Sequence, residues 1–273
     1  MDKKQLARRV ADMVETLPPM PGNLEKFLGT AMSGQQNRRE LARLIRQDPA
    51  LCVELLHLVN SGCYTVREPV GTIEEAIGAM GAEPLAELMA VTYAHGYIDS
   101  RFSGMDHLQA FLTHSHEISL TTGILAEKAG CDPATCNLYT VAGLIHDIGR
   151  LIMMVAANGD SRSLMGTSPE RMSQITDDEK EILGLDHCEV GVHVCRRWKF
   201  LPLLNEGVLR HHTPVKNNDC SVPGAIIFLS HFVSMSDMTG DILATLVPPD
   251  VLTQLNLSVS DLLQAQETYF NLK

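Results

Sequence analysis

The sequence predicts an all-α protein, and three observations lead to this prediction. Leu, Ala, Met and Glu are plentiful, whereas aromatic residues make up only 5% of the chain and alternating β-branched runs are scarce. Signals for helix starts recur from one end to the other, and apolar residues recur between them at helical spacing. With 273 residues and 45% hydrophobic content, the chain can bury a substantial core.

Helix starts are indicated by N-cap residues at fixed distances from a partner. A capping box places Ser, Thr, Asp or Asn three residues before Glu, and a proline at the first helical position gives a second signal. Capping-box spacing occurs at Asn37/Glu40, Thr72/Glu75, Thr176/Glu179 and Asp186/Glu189, and N-cap residues precede proline at Asp132-Pro133 and Ser168-Pro169.

Between these starts, each predicted helix of the first half has one apolar face to bury. The period of 3.6 residues brings the residues of each such face together. These faces comprise Leu41, Leu44 and Ile45, then Leu51, Leu55, Leu58 and Val59, then Ile73, Ala76, Ile77 and Met80.

The stretch from Leu138 to Val155 is apolar on nearly every side, which is typical of a helix through the middle of a domain. A loop is predicted near Ala157 to Ser168, and a milder break around Asp99 to Gly104. We therefore expect an N-terminal helical lobe, residues 1–103, packed on a C-terminal lobe, residues 104–273, in one continuous unit.

Charge and composition exclude several classes of partner and location. The net charge of −11 gives nucleic acid no general electrostatic reason to bind. The chain opens without the apolar core of a signal peptide, and no apolar run approaches the ~18 residues of a membrane span. We expect a cytoplasmic protein that binds neither nucleic acid nor membranes. The seven cysteines lack a metal-type CxxC pair, so they should be reduced and mostly buried.

One charged pair, His146 and Asp147, interrupts the central apolar stretch. Burying an ionised carboxylate without a partner costs several kcal/mol, so Asp147 should meet a cation, a metal or strong donors. Neighbouring helix positions point about 100° apart, which still lets both side chains reach one ion. This pair suits Mn, Fe, Ni or Zn better than Ca, and no organic cofactor is expected. Alone it is weak evidence, since chance predicts about 0.6 such pairs.

Other histidines strengthen the case, because nearly every predicted helix of the second half carries one on or near an apolar face. A single core histidine is more often hydrogen-bonded to a carbonyl than bound to a metal, but the set favours a shared cluster. Periodicity does not decide between His114 and its neighbour His116, and His57, His95 and His107 are interpreted as ordinary residues. The candidates are His114, His146, His187, His211, His212 and His231.

Eight short segments form a recognisable pattern along the chain. In the first lobe they are Leu17–Pro21, Arg46–Leu51, Leu58–Tyr64 and Glu68–Ile77, and in the second they are His114–Ser115, Ala142–Gly149, Ile182–Gly191 and Leu209–Pro214. Together they resemble the HDOD family, bacterial signalling-associated domains related to the HD metal-dependent phosphohydrolases. The resemblance covers nearly the whole chain.

The resemblance implies roles for individual residues. His114 takes the first metal-ligand position of an HD site, His146 and Asp147 form the pair that names it, and His231 stands where Asp is usual. Histidine is still a competent ligand. His187, His211 and His212 correspond to the extra ligands of the HD-GYP branch, which holds two or more metals and cleaves cyclic di-GMP. Asp147 and Arg150 would be the catalytic residues of an active enzyme.

Two departures from the HD-GYP enzymes argue against cyclic di-GMP cleavage. No GYP motif follows His212, and Arg150 stands where those enzymes usually have Lys. The planar guanidinium group of Arg contacts phosphate with a different geometry from the ammonium group of Lys. The first hypothesis is therefore a regulatory output module that binds a signalling protein or a small nucleotide-like ligand. The second is a metal-dependent phosphohydrolase acting on a nucleotide or other phosphoester. A third, a di-iron redox site, would be revealed by colour and by dependence on reducing agents.

Overall fold

The computed structural model describes residues 2–17, 35–64, 66–102, 108–157, 168–217 and 219–272. Across these ranges regular structure is almost entirely α-helical, which confirms the predicted fold class. The helices of the first half are α1 (Lys3–Thr16), α2 (Gln35–Ile45), α3 (Pro49–Val59), α4 (Ile73–Met80) and α5 (Ala82–Phe102).

The second half continues the helical pattern and adds one short hairpin. Its two strands, β1 (Val215–Lys216) and β2 (Asp219–Cys220), pair antiparallel. The helices are α6 (Leu108–Lys128), α7 (Pro133–Ile145), α8 (Ile148–Ala156), α9 (Ile175–Leu183), α10 (His187–Arg197), α11 (Pro202–Arg210), α12 (Val222–Val233), α13 (Gly240–Leu246), α14 (Pro249–Gln254) and α15 (Val259–Leu272).

Three of the predicted N-caps satisfy backbone N–H groups at the start of a helix. The Thr72 hydroxyl accepts from the backbone N–H of Glu75 at 3.2 Å, and the Glu75 carboxylate accepts from that of Thr72, which completes a capping box at α4. Asp132 caps α7, and Asp186 accepts from the backbone N–H of Glu189 at 2.8 Å to cap α10. These bonds replace intrahelical partners that the first turn lacks.

Two of the other start signals were wrong, and the third marks only a short 3₁₀ helix. Asn37 and Thr176 lie inside α2 and α9, so neither is an N-cap. Ser168 precedes only a short 3₁₀ turn and makes no side-chain capping bond there. Helix α5 continues through Phe102, so no break occurs from residue 99 to 102. The predicted lobe boundary at 103/104 and residues 158–167 of the predicted loop lie outside the described residues.

The predicted apolar faces pack into the core. Leu41 and Ile45 of α2, Leu55 of α3, and Ile73 and Ala76 of α4 are almost completely buried. They join one continuous apolar cluster with residues of α7, α8 and α10, so the two predicted lobes share a core. A second cluster packs α12 to α15 against α6. All seven cysteines are free thiols, and four of them are buried.

The central apolar stretch differs from the prediction because it is two helices. The chain turns at His146 and Asp147, where Asp147 has φ −98° and ψ 12°, so α7 ends just before the pair and α8 begins just after it. Contrary to the expectation from the sequence, residues Pro133–Ala156 reach the length and hydropathy of a membrane span, but 94% of the most apolar window is buried inside the protein. The turn places His146 and Asp147 at a helix junction in the core.

Helices α8 and α10 cross at two glycines. A Cβ at Gly149 would overlap the carbonyl oxygen of His187 and the backbone nitrogen of Gly191, and a Cβ at Gly191 would meet Val208 at 2.6 Å. Only residues without a side chain permit this approach of two backbones. The crossing brings the first residue of α10, His187, next to Asp147.

Candidate metal centre

All the predicted ligand residues converge on one place in the second half of the fold. They come from five different elements or junctions, so distant parts of the chain must pack together to form the cluster. They are His114 on α6, His146 and Asp147 between α7 and α8, His187 at the start of α10, His211 and His212 directly after α11, and His231 on α12.

The side chains form two groups that meet at Asp147. Potential ligand atoms of Asp147, His187, His211 and His212 lie within 4.8 Å of one another, as do those of His114, His146 and His231. Oxygen Oδ1 of Asp147 lies 3.2 Å from Nε2 of His187, whereas Oδ2 lies 3.5 Å from Nε2 of His146 and 3.8 Å from that of His114. The carboxylate therefore faces both groups, one oxygen to each.

Three of the histidines are oriented by their own helices. In each, Nδ1 lies within hydrogen-bonding distance of a carbonyl oxygen three or four residues earlier, and a carbonyl can only accept. Nδ1 must carry the proton, which leaves the lone pair on Nε2. The bonds join His146 to Gly143 at 2.8 Å, His211 to Val208 at 2.8 Å and His231 to Ile227 at 2.9 Å.

His187 is oriented by a carboxylate rather than by a carbonyl of its own helix. Oxygen Oε2 of the buried Glu179 accepts from the backbone N–H of His187 at 2.9 Å and from its Nδ1 at 2.6 Å. Arg150 links this carboxylate to the centre: its Nη1 lies 3.0 Å from Oδ2 of Asp147 and its Nη2 lies 3.8 Å from Oε1 of Glu179. A carboxylate behind a ligating histidine is the usual support of protein metal sites.

Burial and neighbouring charges shift the pKa values of the centre's side chains toward the forms that bind a cation. Burial lowers the pKa values of His146, His212 and His231 well below the usual range, so these rings stay neutral. Burial by itself would raise the pKa of Asp147, but the neighbouring Arg150 guanidinium holds it well below its ordinary value. The result is an ionised carboxylate close to the neutral rings of His146, His212 and His231, which is the protonation state that metal ligation needs.

Several buried polar atoms at the centre are left without partners. Within the described parts of the chain, Nε2 of His146, both ring nitrogens of His212 and Oδ1 of Asp147 make no hydrogen bond. Nε2 of His187 and Nε2 of His211 lie 3.2 Å apart, and Nδ1 of each ring lies against an acceptor oxygen. Orphaned polar atoms are costly in a protein interior unless a cation lies against them. The donor set therefore fits divalent transition metal ions.

Access to the centre is limited. The His114 side chain is 36% exposed, whereas His146, His187 and Asp147 are at most 1% exposed.

The sequence left open whether His114 or His116 faces inward. His116 is exposed and does not belong to the centre, and its ring lies 3.6 Å from Sγ of Cys63. His57 is exposed too, in keeping with its interpretation as an ordinary residue. The structure describes neither the side chain of His95 nor any part of His107.

The family model of the HDOD domain matches residues 17–214, which is most of the chain. The chain belongs to the HDOD family. This confirms the resemblance that its motifs indicated.

Solved structures show the same fold. A protein from Shewanella amazonensis SB2B, provisionally described as a phosphohydrolase, has a TM-score of 0.68 at 22% identity, with 96% of this chain and 93% of that chain covered. An HDOD domain protein of unknown function from Geobacter sulfurreducens has a TM-score of 0.59 at 20% identity, with 98% and 97% covered. At such identities the likeness establishes the fold of this HDOD protein and not its activity.

The matching sequences are longer proteins. An uncharacterized protein of Treponema pallidum is 24% identical over 77% of this chain, which spans 40% of the relative. Ribonuclease Y of Helicobacter pylori is 30% identical over 38% of this chain and 14% of that enzyme. This HDOD chain therefore covers less than half of either relative.

Two residues of the centre were missed by sequence reasoning. Glu179 was interpreted as part of a capping box, and no feature of its polar helix signals that it is buried. Cys188 was grouped with the core thiols, but its Sγ lies 3.5 Å from Nε2 of His187 and 3.8 Å from Nδ1 of His211. Burial raises the pKa of this thiol, so it is a protonated neighbour of the centre. Its position next to His187 in the chain was the only available signal.

Proposed function

We propose that this HDOD protein holds divalent transition metal ions in the seven-residue centre and hydrolyses a small phosphoester. The observation that carries the proposal is the set of buried ligand atoms without a hydrogen-bond partner in the described chain, which are Nε2 of His146, Oδ1 of Asp147 and both ring nitrogens of His212. His114, His146 and His231 would hold one ion and His187, His211 and His212 another, with Asp147 between them. Such ions supply Lewis-acid activation of water and of phosphoryl oxygens.

The chain's own residues support this chemistry in distinct ways. Glu179 fixes the proton of His187 on Nδ1, and Asp147 offers one oxygen to each group of ligands. Nε and Nη2 of Arg150 make no hydrogen bond within the described residues. These donors would stabilise the negative charge that develops on phosphoryl oxygens. His114, the most exposed ligand, marks the side from which a substrate would enter.

The substrate is proposed to be a small molecule. A chain with a net charge of −11 has little general attraction for the backbone of nucleic acid, so the short match to Ribonuclease Y does not favour RNA. Cyclic di-GMP is not proposed, because no GYP motif follows His212. The sequence alone gave more weight to a regulatory module, and the orphaned ligand atoms shift that balance.

Metal content is the first measurement. Protein purified without chelator or affinity nickel should contain stoichiometric Fe, Mn, Ni or Zn by mass spectrometry, and His146→Ala and Asp147→Ala should lose it. His57→Ala is the matched control, because His57 is exposed and lies on α3, which contributes no residue to the centre. Well-folded wild-type protein that stays metal-free after incubation with each ion would contradict the proposal.

Hydrolysis is tested separately. We expect phosphate or nucleotide release from at least one member of a panel of nucleotides and model phosphoesters in the presence of Mn, Fe, Ni or Zn. Asp147→Ala should abolish it and His57→Ala should leave it unchanged. Rates equal to those of a metal-only blank for every substrate would refute hydrolysis while leaving metal binding intact.

A regulatory output module is the second candidate function, with the metal as a structural element. The observation in its favour is the enclosure of the centre, of which only His114 is substantially exposed. Under this candidate the protein would bind a signalling protein or nucleotide-like ligand without turnover. Stoichiometric metal together with a negative hydrolysis screen would favour it over the enzyme.

A further inference from the structure

A cavity that includes none of the metal-centre residues lies between α2 and α4 in the first half of the fold. Its volume is about 550 Å³, within the usual range for small-molecule sites. Arg38, Arg39 and Arg46 line it, with Glu74 opposite. None of its lining residues belongs to the proposed metal centre or is a neighbour of one in the chain.

The cavity concentrates positive charge in an acidic protein. Arg46 pairs with Glu74, but neither Arg38 nor Arg39 has an ion-pair partner among the described residues. Three guanidinium groups therefore share one carboxylate, although the whole chain has a net charge of −11. Unbalanced arginines at a concave surface favour an anion, and their planar forks match the oxygens of phosphate.

The floor of the cavity is apolar and has room for an organic body. Ala42 and Ile77 line the cavity and are 2% and 3% exposed, so tightly packed aliphatic atoms close its floor. Gly78 lies beside them, and a Cβ built there would meet nothing within 4 Å. A charged rim above an apolar floor suits a ligand that has an anionic end and a flat or apolar remainder.

We propose that this cavity binds the phosphate group of a small phosphorylated ligand, with a nucleotide as the ligand class. The phosphate contacts Arg38 and Arg39, whose donors are otherwise uncommitted within the described residues. The base or sugar lies over Ala42, Ile77 and Gly78. This ligand site is separate from the proposed phosphoesterase centre and does not depend on it.

The test is calorimetric titration of the full purified chain with AMP. We expect saturable binding with one molecule per chain. A lost charge-assisted hydrogen bond corresponds to a weakening of about tenfold or more, so Arg39→Gln should raise the dissociation constant by at least that factor. Gly78→Leu should weaken binding similarly by filling the floor without removing a charge.

The matched control is Arg43→Gln. Arg43 lies on the same helix, but it pairs with Glu40 at 2.9 Å and does not line the cavity. Its replacement removes the same charge from α2 and should leave AMP binding unchanged. Circular dichroism and melting temperature verify that each variant is folded.

Several results would overturn the proposal. These are no saturable AMP binding, binding that is the same in Arg39→Gln and Gly78→Leu as in wild type, or equal weakening in Arg43→Gln, which would indicate general surface charge. Inorganic phosphate or a hexaglutamate peptide that binds as tightly as AMP would refute the nucleotide assignment. Weaker binding of both supports it.

Discussion

The support that Glu179 gives to His187 leads to a quantitative expectation for Glu179→Gln. The substitution preserves shape but removes the charge that accepts from Nδ1 of His187 at 2.6 Å. A hydrogen bond to a charged group is worth about 1.5–3 kcal/mol, and tenfold in affinity corresponds to about 1.4 kcal/mol. The expected loss of metal affinity is therefore about 10- to 150-fold, which overlaps the range measured for supporting residues in other metal proteins.

A second effect acts in the same direction. With Glu179 neutral, the Arg150 guanidinium retains Asp147 as its only carboxylate neighbour among the described residues, at 3.0 Å. Its charge then competes more strongly with a metal ion for that carboxylate. The two effects together should make Glu179→Gln more damaging than the loss of a single neutral hydrogen bond.

The assay is titration of metal-stripped protein with Zn or Mn in competition with a chromophoric chelator. Glu181→Gln is the control, because Glu181 lies on the same helix and is exposed. Both variants should keep the wild-type helical content by circular dichroism. Equal affinities for the two folded variants would refute the role assigned to Glu179.

Three further predictions concern stability. Gly149→Ala should destabilise the protein by more than about 2 kcal/mol in chemical denaturation, because its Cβ would overlap the backbone of α10, whereas Gly78→Ala should stabilise it by about 0.5–1 kcal/mol. Equal effects would contradict the close crossing. In metal-stripped protein, the lowered pKa values of His146, His212 and His231 mean that the unfolded chain binds more protons below pH ~6.5. Stability should therefore fall on acidification, by up to about 1.4 kcal/mol per pH unit for each ring, and a flat profile from pH 7 to 5 would refute neutral burial. Removing metal that is present at 100 times its dissociation constant should lower the melting temperature by about 5–10 °C while helical content at 25 °C stays unchanged.

Periodicity predicted the helical class and much of the core, because apolar residues spaced at 3.6 residues form one face of a helix and that face is buried. Leu41, Ile45 and Ile73 follow from the 3.6-residue repeat alone. The turn at His146 and Asp147 was not predictable in this way, because nothing in the apolar stretch, such as a proline, interrupts the repeat there. The two-helix arrangement is a tertiary effect of packing α8 across α10.

The candidate site was predictable to the extent that its residues are unusual in their surroundings. His114 and His187 stand out because charged or polar groups are rare on apolar faces. Glu179 does not stand out, since a glutamate in a polar helix is commonplace and only the folded chain brings it to His187. Whether the seven gathered residues bind metal is a prediction that the measurements above decide.

The bonds from Nδ1 of His146, His211 and His231 to carbonyl oxygens of their own helices have a further consequence. Each ring is oriented by a hydrogen bond within its own helix, so replacing one of these histidines should not change the orientation of the other two rings. His212 makes no such bond within the described chain and would be the ring most easily reoriented. We therefore expect the loss of one of these three ligands to weaken ion binding in steps, because the remaining rings keep their orientation.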